Sequence, residues 1–168
     1  MARGLKEFAD IIISMGDIVR EEAIKKGIKL SSNTLMEFAK LLRRERGSDF
    51  IAREVIKKIK EANAKVVVVD GVRSLEEVKA FKEISGRTYI VAIHSSPRTR
   101  FNRLVLRGRE SDPKTWDEFV RRDISELELG LGSVIALADI MIVNEDLPLD
   151  DLMKFASTII KKLMIRFD

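Results

Sequence analysis

Two short stretches of the chain bring the same residue types to the ends of apolar runs. Residues 66–74 read VVVVDGVRS and residues 11–20 read IIISMGDIVR. One supplies Asp70, Gly71 and Arg73; the other supplies Gly16, Asp17 and Arg20. An arginine fork grips a phosphate bidentately, and glycine adopts turns closed to other residues. Either stretch alone reads as a helix cap with a surface arginine. The pair points to one anion-handling edge.

A third apolar run ends at His94, Ser95, Ser96 and Pro97 and leads into RTRFNRLVLRGR. Arg103 and Arg107 are four apart, so they share a helix face, a spacing suited to straddling a nucleotide. Arg98, Arg100, Arg109, Arg121 and Arg122 lie in the same region. Arginine rather than lysine at these positions favours anion binding over a merely solvated face. The polar stretch GRESDPKTWDEFVRRD reads as a helical hairpin over a site, with Trp116 and Phe119 anchoring its base. His94, the single histidine, reads as hydrogen-bonded structure. Gly130 and Gly132 read as a loop. No metal-ligand cluster and no Ser/His/Asp spacing stands out.

The elements that must hold these residues follow from periodicity. Residues 10–14, 66–69, 89–93 and 140–143 are β-branched and nearly continuous, as strands covered on both faces are. Helical patterns separate them, over 17–26, 34–46, 48–62 and 75–83. A Thr34-x-x-Glu37 capping box opens the second of these, and Gly47 ends it. Pro97, Pro113 and Pro148 open later helices that run to about 107, 127 and 163, with Asp112 the natural cap before Pro113. Strand–helix alternation without repeats predicts one α/β domain with a mainly parallel sheet. Ligands then bind beyond the carboxyl ends of the strands, where Asp70, Gly71 and Arg73 fall.

Composition narrows the class. The chain has 168 residues, enough for one core, with 35% charged and 45% hydrophobic residues. There is no cysteine, which excludes disulfides and cysteine-based zinc sites. No run reaches the roughly 18 apolar residues of a membrane span, and no signal-peptide pattern opens the chain. A cytoplasmic location is expected. A net charge of +4 is too small, and exposed aromatics are too few, to favour a nucleic-acid binder.

These motifs resemble known ones. ISMGDIVRE is similar to the IS-TGD-x-x-R segment of adenylate kinases, and VVVVDGVRS to their DG-x-x-R segment, with one residue fewer before the arginine. RFNRLVLRGRESDPKTWDEFVRRD resembles the helix and lid that follow, and ALADIMIVNEDLPLDDL resembles the last strand and helix of dephospho-CoA kinases. The whole chain is most similar to an archaeal family described as adenylate-kinase-related or dephospho-CoA-kinase-like. That resemblance implies a three-layer, P-loop NTPase-like α/β fold of the nucleoside monophosphate kinase type, with helices on both faces of the sheet. It implies acceptor-binding helices over about 17–62 and a lid over about 108–127. Arg20 and Arg73, beside Gly71, would hold the acceptor phosphate, with Asp17 ordering the loop. Asp70 would act near Mg2+ through water. Arg103 would stack on the base of ATP, and Arg107 with the lid residues Arg109 and Arg121 would grip the transferring phosphoryl group.

One departure stands against the match. The first strand of these families, and the Gly-x-x-x-x-Gly-Lys-[Ser/Thr] loop whose N–H groups cradle nucleotide phosphates, have no counterpart in residues 1–168. MARGLKEFADIII looks like the tail of the helix that follows such a loop. The expectation is that the first strand and P-loop lie upstream or have been lost. In related folds that strand sits between the strands at 66–69 and 89–93. Those two must therefore pair directly or leave backbone groups unsatisfied, at about 1–3 kcal/mol each. A marginal sheet of this kind would encourage self-association. Two functions follow: a phosphotransferase acting on a nucleotide-like or small phosphorylated acceptor, or a non-catalytic mononucleotide-binding module.

Overall fold

A computed structural model describes residues 9–145 and 147–165. Met1–Phe8, including most of the expected helix tail, lie outside the described residues. The order is β1 (Ile11–Ser14), α1 (Met15–Lys25), α2 (Ser32–Arg46), α3 (Phe50–Ala62), β2 (Val67–Asp70) and α4 (Leu75–Ile84). The second half continues with β3 (Val91–His94), α5 (Pro97–Arg107), α6 (Trp116–Glu128), α7 (Leu131–Ala136), β4 (Ile140–Val143) and α8 (Leu149–Ile165). All four expected strands form, within a residue or two.

Their pairing is parallel but split. β1 pairs with β2, Ile11 opposite Val67 and Ser14 opposite Asp70. β3 pairs with β4, Val91 opposite Ile140 and His94 opposite Val143. Among the described residues, nothing joins β2 to β3, so two half-sheets stand where one sheet was expected. Of the two alternatives posed by the sequence, direct pairing is the one not taken.

A carboxylate starts each half-sheet. The Asp10 side chain accepts the N–H groups of Lys65 and Val66, both at 2.8 Å. Asp139 accepts that of Ile90 at 2.7 Å. These bonds set the register of both strand pairs from their amino ends. The Val66 and Lys65 N–H groups hold the Asp10 carboxyl below its ordinary range.

The main core belongs to the first half. Ile13, Met15, Ile18, Phe38, Leu42, Ile51 and Val55 are buried together there, joined by Ala80 and Phe81 of α4. Ile142, Phe119, Val134, Leu152 and Ala156 are buried outside that cluster, in the second half. Between the halves lies a cavity of about 1700 Å³ walled by Val66–Asp70 on one side and Ile90–His94 on the other. Among the described residues, no helix is long and apolar enough to cross a membrane.

Several local expectations are corrected. The box that opens α2 is Ser31 with Thr34, not Thr34 with Glu37. Thr115, not Asp112, caps α6, with Glu118 completing its box. Asp17 lies inside the first turn of α1 rather than capping it. Gly130 is a positive-φ turn (φ 106) and Gly132 lies within α7, where a loop was expected. A six-residue helix is too short for periodicity to reveal.

Candidate functional site

The β2–α4 turn is built around Gly71, at φ +89, a conformation few side chains tolerate. A Cβ there would lie 3.4 Å from the Arg73 guanidinium, which folds back and donates to the Gly71 carbonyl at 2.9 Å. Next door, in the first turns of α1 after β1, the Arg20 guanidinium lies over Gly16 and pairs with Asp17. Register places Ser14 directly opposite Asp70. Asp17, Arg20, Asp70, Gly71 and Arg73 thus share the carboxyl edge of the first half-sheet, as their spacing implied.

Across the edge, α5 and α6 form a cleft of about 320 Å³, within the range of small-ligand pockets. Arg100, Arg103, Arg107 and Arg122 line it, with Phe119 at its base. Phe119 is buried and packs against Phe101 and Trp116, which fixes α6 on α5. The aromatic anchor expected from the sequence is therefore a three-ring cluster. Arg109 and Arg121 do not line the cleft. Arg100 and Arg122 occupy it instead.

The arginines are held by carboxylates of the α5–α6 segment. Arg73 pairs with Glu126 at 3.2 Å, and the same oxygen accepts from Arg122 at 3.4 Å. Arg122 lies 3.8 Å from Asp112, which receives the Arg107 Nε at 2.9 Å. An alternating chain, Arg73–Glu126–Arg122–Asp112–Arg107, therefore links the first strand pair to α5. Arg100 is bidentate to Asp123.

Charge follows geometry. Burial pushes the Asp112 carboxyl up, but the Arg107 fork, the Arg109 N–H and Arg122 outweigh it and hold it low. Asp112 in turn raises Arg107 against its own partial burial, with a smaller contribution from the charge of Asp70. Arg100 is raised by its bond to Asp123.

Arg103 holds the ends of β3 and β4. It donates to the Asn144 carbonyl at 2.8 Å, the Glu145 carbonyl at 2.7 Å and the Ser95 hydroxyl at 3.0 Å. Its in-plane donors are engaged, whereas stacking on a base uses the face of a guanidinium. Glu145 accepts the Thr99 hydroxyl at 2.6 Å and the Ser96 N–H, and these bonds hold its carboxyl low. His94 contributes its carbonyl, which accepts the Asn144 N–H at 2.7 Å.

Sequence reasoning missed the carboxylates Asp123 and Glu126, and with them a buried pair at this edge. Glu77 of α4 is fully buried and pairs with Arg43 of α2, which is 9% exposed, at 2.6 Å. The signal was present as Ser74-x-x-Glu77, a capping-box pattern directly after Arg73. Among the described residues, no group of three or more His, Cys, Asp or Glu side chains is placed to hold a metal ion.

Residues 2–120 match the AAA domain family. A UPF0200 protein of Hyperthermus butylicus is 55% identical over 131 residues, covering 78% of this chain and 70% of that protein. One from Staphylothermus marinus is 45% identical over 153 residues, 91% of this chain and 79% of its own. One from Thermococcus onnurineus is 42% identical over 156 residues, 90% and 84% respectively. The chain belongs to the UPF0200 family, built on an AAA domain. An α/β fold of short parallel strands and a nucleotide-binding character accord with that membership.

Proposed function

We propose that the chain serves an ATP-linked phosphotransferase of the nucleoside monophosphate kinase type, acting in the cytosol on a nucleotide-like or small phosphorylated acceptor. The observation that carries this reading is the gathering of arginines at one strand edge. Arg73 is bridged through Glu126 to Arg122 of the cleft that Arg100, Arg103 and Arg107 also line, and Arg20 lies over Gly16 at the neighbouring strand end. Phosphoryl transfer needs little else from a protein than positioning and neutralisation of charge on the equatorial oxygens.

The residues fit ATP and Mg2+. Planar guanidinium forks match phosphate oxygens, and the exposed Asp70 carboxylate at the strand end is a hard oxygen donor suited to Mg2+ through water. ATP supplies the phosphoryl group, and Mg2+ neutralises its oxygens. Arg20 and Arg73, beside Gly71, hold the acceptor phosphate, and Asp17 orders Arg20. The face of Arg103 receives the base. Arg107 steadies the phosphoryl group, while Arg109 and Arg121 reach it as the segment over 108–127 closes. The carboxylates that now hold Arg73, Arg107 and Arg122 stand where phosphates bind, so ligand exchanges with Glu126 and Asp112.

The cavity between β2 and β3 supports a further element of this reading. Its walls are the edges of two parallel strands, and a third parallel strand between them completes one three-layer sheet. A glycine-rich loop at the end of such a strand would emerge at the edge that carries Asp70 and Ser95, where ATP phosphates are needed. A second reading is a module that binds mononucleotides without turnover, favoured by the engagement of Arg73, Arg107 and Arg122 with Glu126 and Asp112. Self-association through the open edges accords with either.

Calorimetric titration with AMP and with ATP–Mg2+ separates them, using the chain alone and the chain with a strand-and-loop segment added before Met1. AMP binding by both, with ATP binding only after the addition, is the expected result. AMP binding with no response to ATP in either form selects the module. Failure of both ligands in both forms overturns the functional reading.

A further inference from the structure

We propose that Glu77, locked by Arg43, is a positioning residue that sets Arg73 for anion binding and ties it to the acceptor helix α2. This rests on the reading of Arg73 as an acceptor-phosphate ligand.

The two oxygens of Glu77 are divided between two tasks. Oε1 receives the Arg43 fork, Nε at 3.2 Å and Nη2 at 2.6 Å. Oε2 receives the backbone N–H of Arg73 at 2.8 Å and of Ser74 at 3.3 Å. The Glu77 N–H closes the box on the Ser74 hydroxyl at 3.2 Å. A fully buried carboxylate with four donors is a built feature, because an isolated buried charge is prohibitively unfavourable.

A capping box alone needs neither the charge nor Arg43. A neutral glutamine at the same position would serve the cap. What Arg43 adds is a fixed plane for the carboxylate, and hence a fixed direction for the Arg73 N–H. That residue's side chain then has one short path back over Gly71 to the strand edge. From the other side, Gly130 packs on the same turn, where a Cβ would lie 3.6 Å from the Arg73 carbonyl. Arg43 also donates to the Ala39 carbonyl at 3.3 Å, anchoring itself in α2. Displacement of α2 by a bound acceptor therefore reaches Arg73 through two charge-assisted contacts.

The test is a double-mutant cycle on the 168-residue chain, read by AMP titration. The variants are Arg43→Met/Glu77→Gln, which removes both buried charges together, Arg73→Met, and all three substitutions combined. The pair variant should weaken AMP binding roughly 10-fold, the scale of one hydrogen bond to a charged group, and should cost nothing further once Arg73 is methionine. Unchanged affinity in the pair variant, or an equal loss without Arg73, overturns the proposal. If the pair variant does not fold, Arg43→Lys, which keeps the charge pair but loses the planar fork, takes its place in the cycle. Amide exchange supplies an independent readout, since loss of protection at Arg73, with Ser74 still held by the cap, is expected. If wild type binds no AMP, the functional reading falls, and exchange alone decides the positioning claim. Uniform or absent exchange changes overturn it.

Discussion

Asp112 shows how strongly one carboxylate can be committed at this edge. Its side chain is 3% exposed, and it accepts from Arg107 and the Arg109 N–H while facing Arg122. Because its folded pKa lies below its unfolded value, its stabilisation is complete above about pH 4 and is lost as pH falls through the folded pKa. Asp112→Asn should therefore destabilise the protein at pH 7 by about 1–3 kcal/mol and flatten the acid limb of its stability curve. Denaturation midpoints measured from pH 7 to pH 3 check this; parallel curves for the two proteins would contradict it. The basic residues of the edge were legible one by one, since arginine, glycine and aspartate are conspicuous in VVVVDGVRS and SMGDIVR. Their acidic partners were not. Asp123 and Glu126 look like ordinary surface positions of an amphipathic helix until α6 is laid across the edge.

At the scale of elements, strands and most helices followed from β-branched runs and 3.6-residue periodicity. The ends were less legible, because several side chains compete for each cap. Ser31 displaces Thr34 as the α2 cap, and Thr115 displaces Asp112 at α6, freeing Asp112 for arginines. The short helix α7 escaped notice because Gly130 and Gly132 suggested a loop. Gly130 is needed at φ 106 for the α6–α7 turn to pack on Arg73 and Ser74. Gly130→Ala should cost about 1–3 kcal/mol, the price of a strained backbone position. Urea midpoints measure that loss, and an unchanged midpoint would show that the turn relaxes. The same turn flanks Arg73, so a weakened AMP affinity should accompany it.

At the scale of the whole molecule, the described residues form two parallel strand pairs with a large cavity between them, each pair set in register by its own aspartate. Amides on the β2 and β3 edges that face the cavity should exchange with solvent faster than those bonded within each pair. Hydrogen exchange by NMR tests this, and equal protection on both edges would mean the gap is closed in solution. The sequence by itself determined which segments are strands, the parallel class of the fold and which residues gather at the carboxyl edge of the first strand pair. Those features depend on local patterns, namely apolar period, turn chemistry and the residues that end each run. Only the tertiary structure decided which strands pair, which arginines line the cleft and which carboxylates hold them. Pairing depends on which edges meet across long stretches of chain, and Arg43 with Glu77 or Arg73 with Glu126 are partners only after folding brings them together.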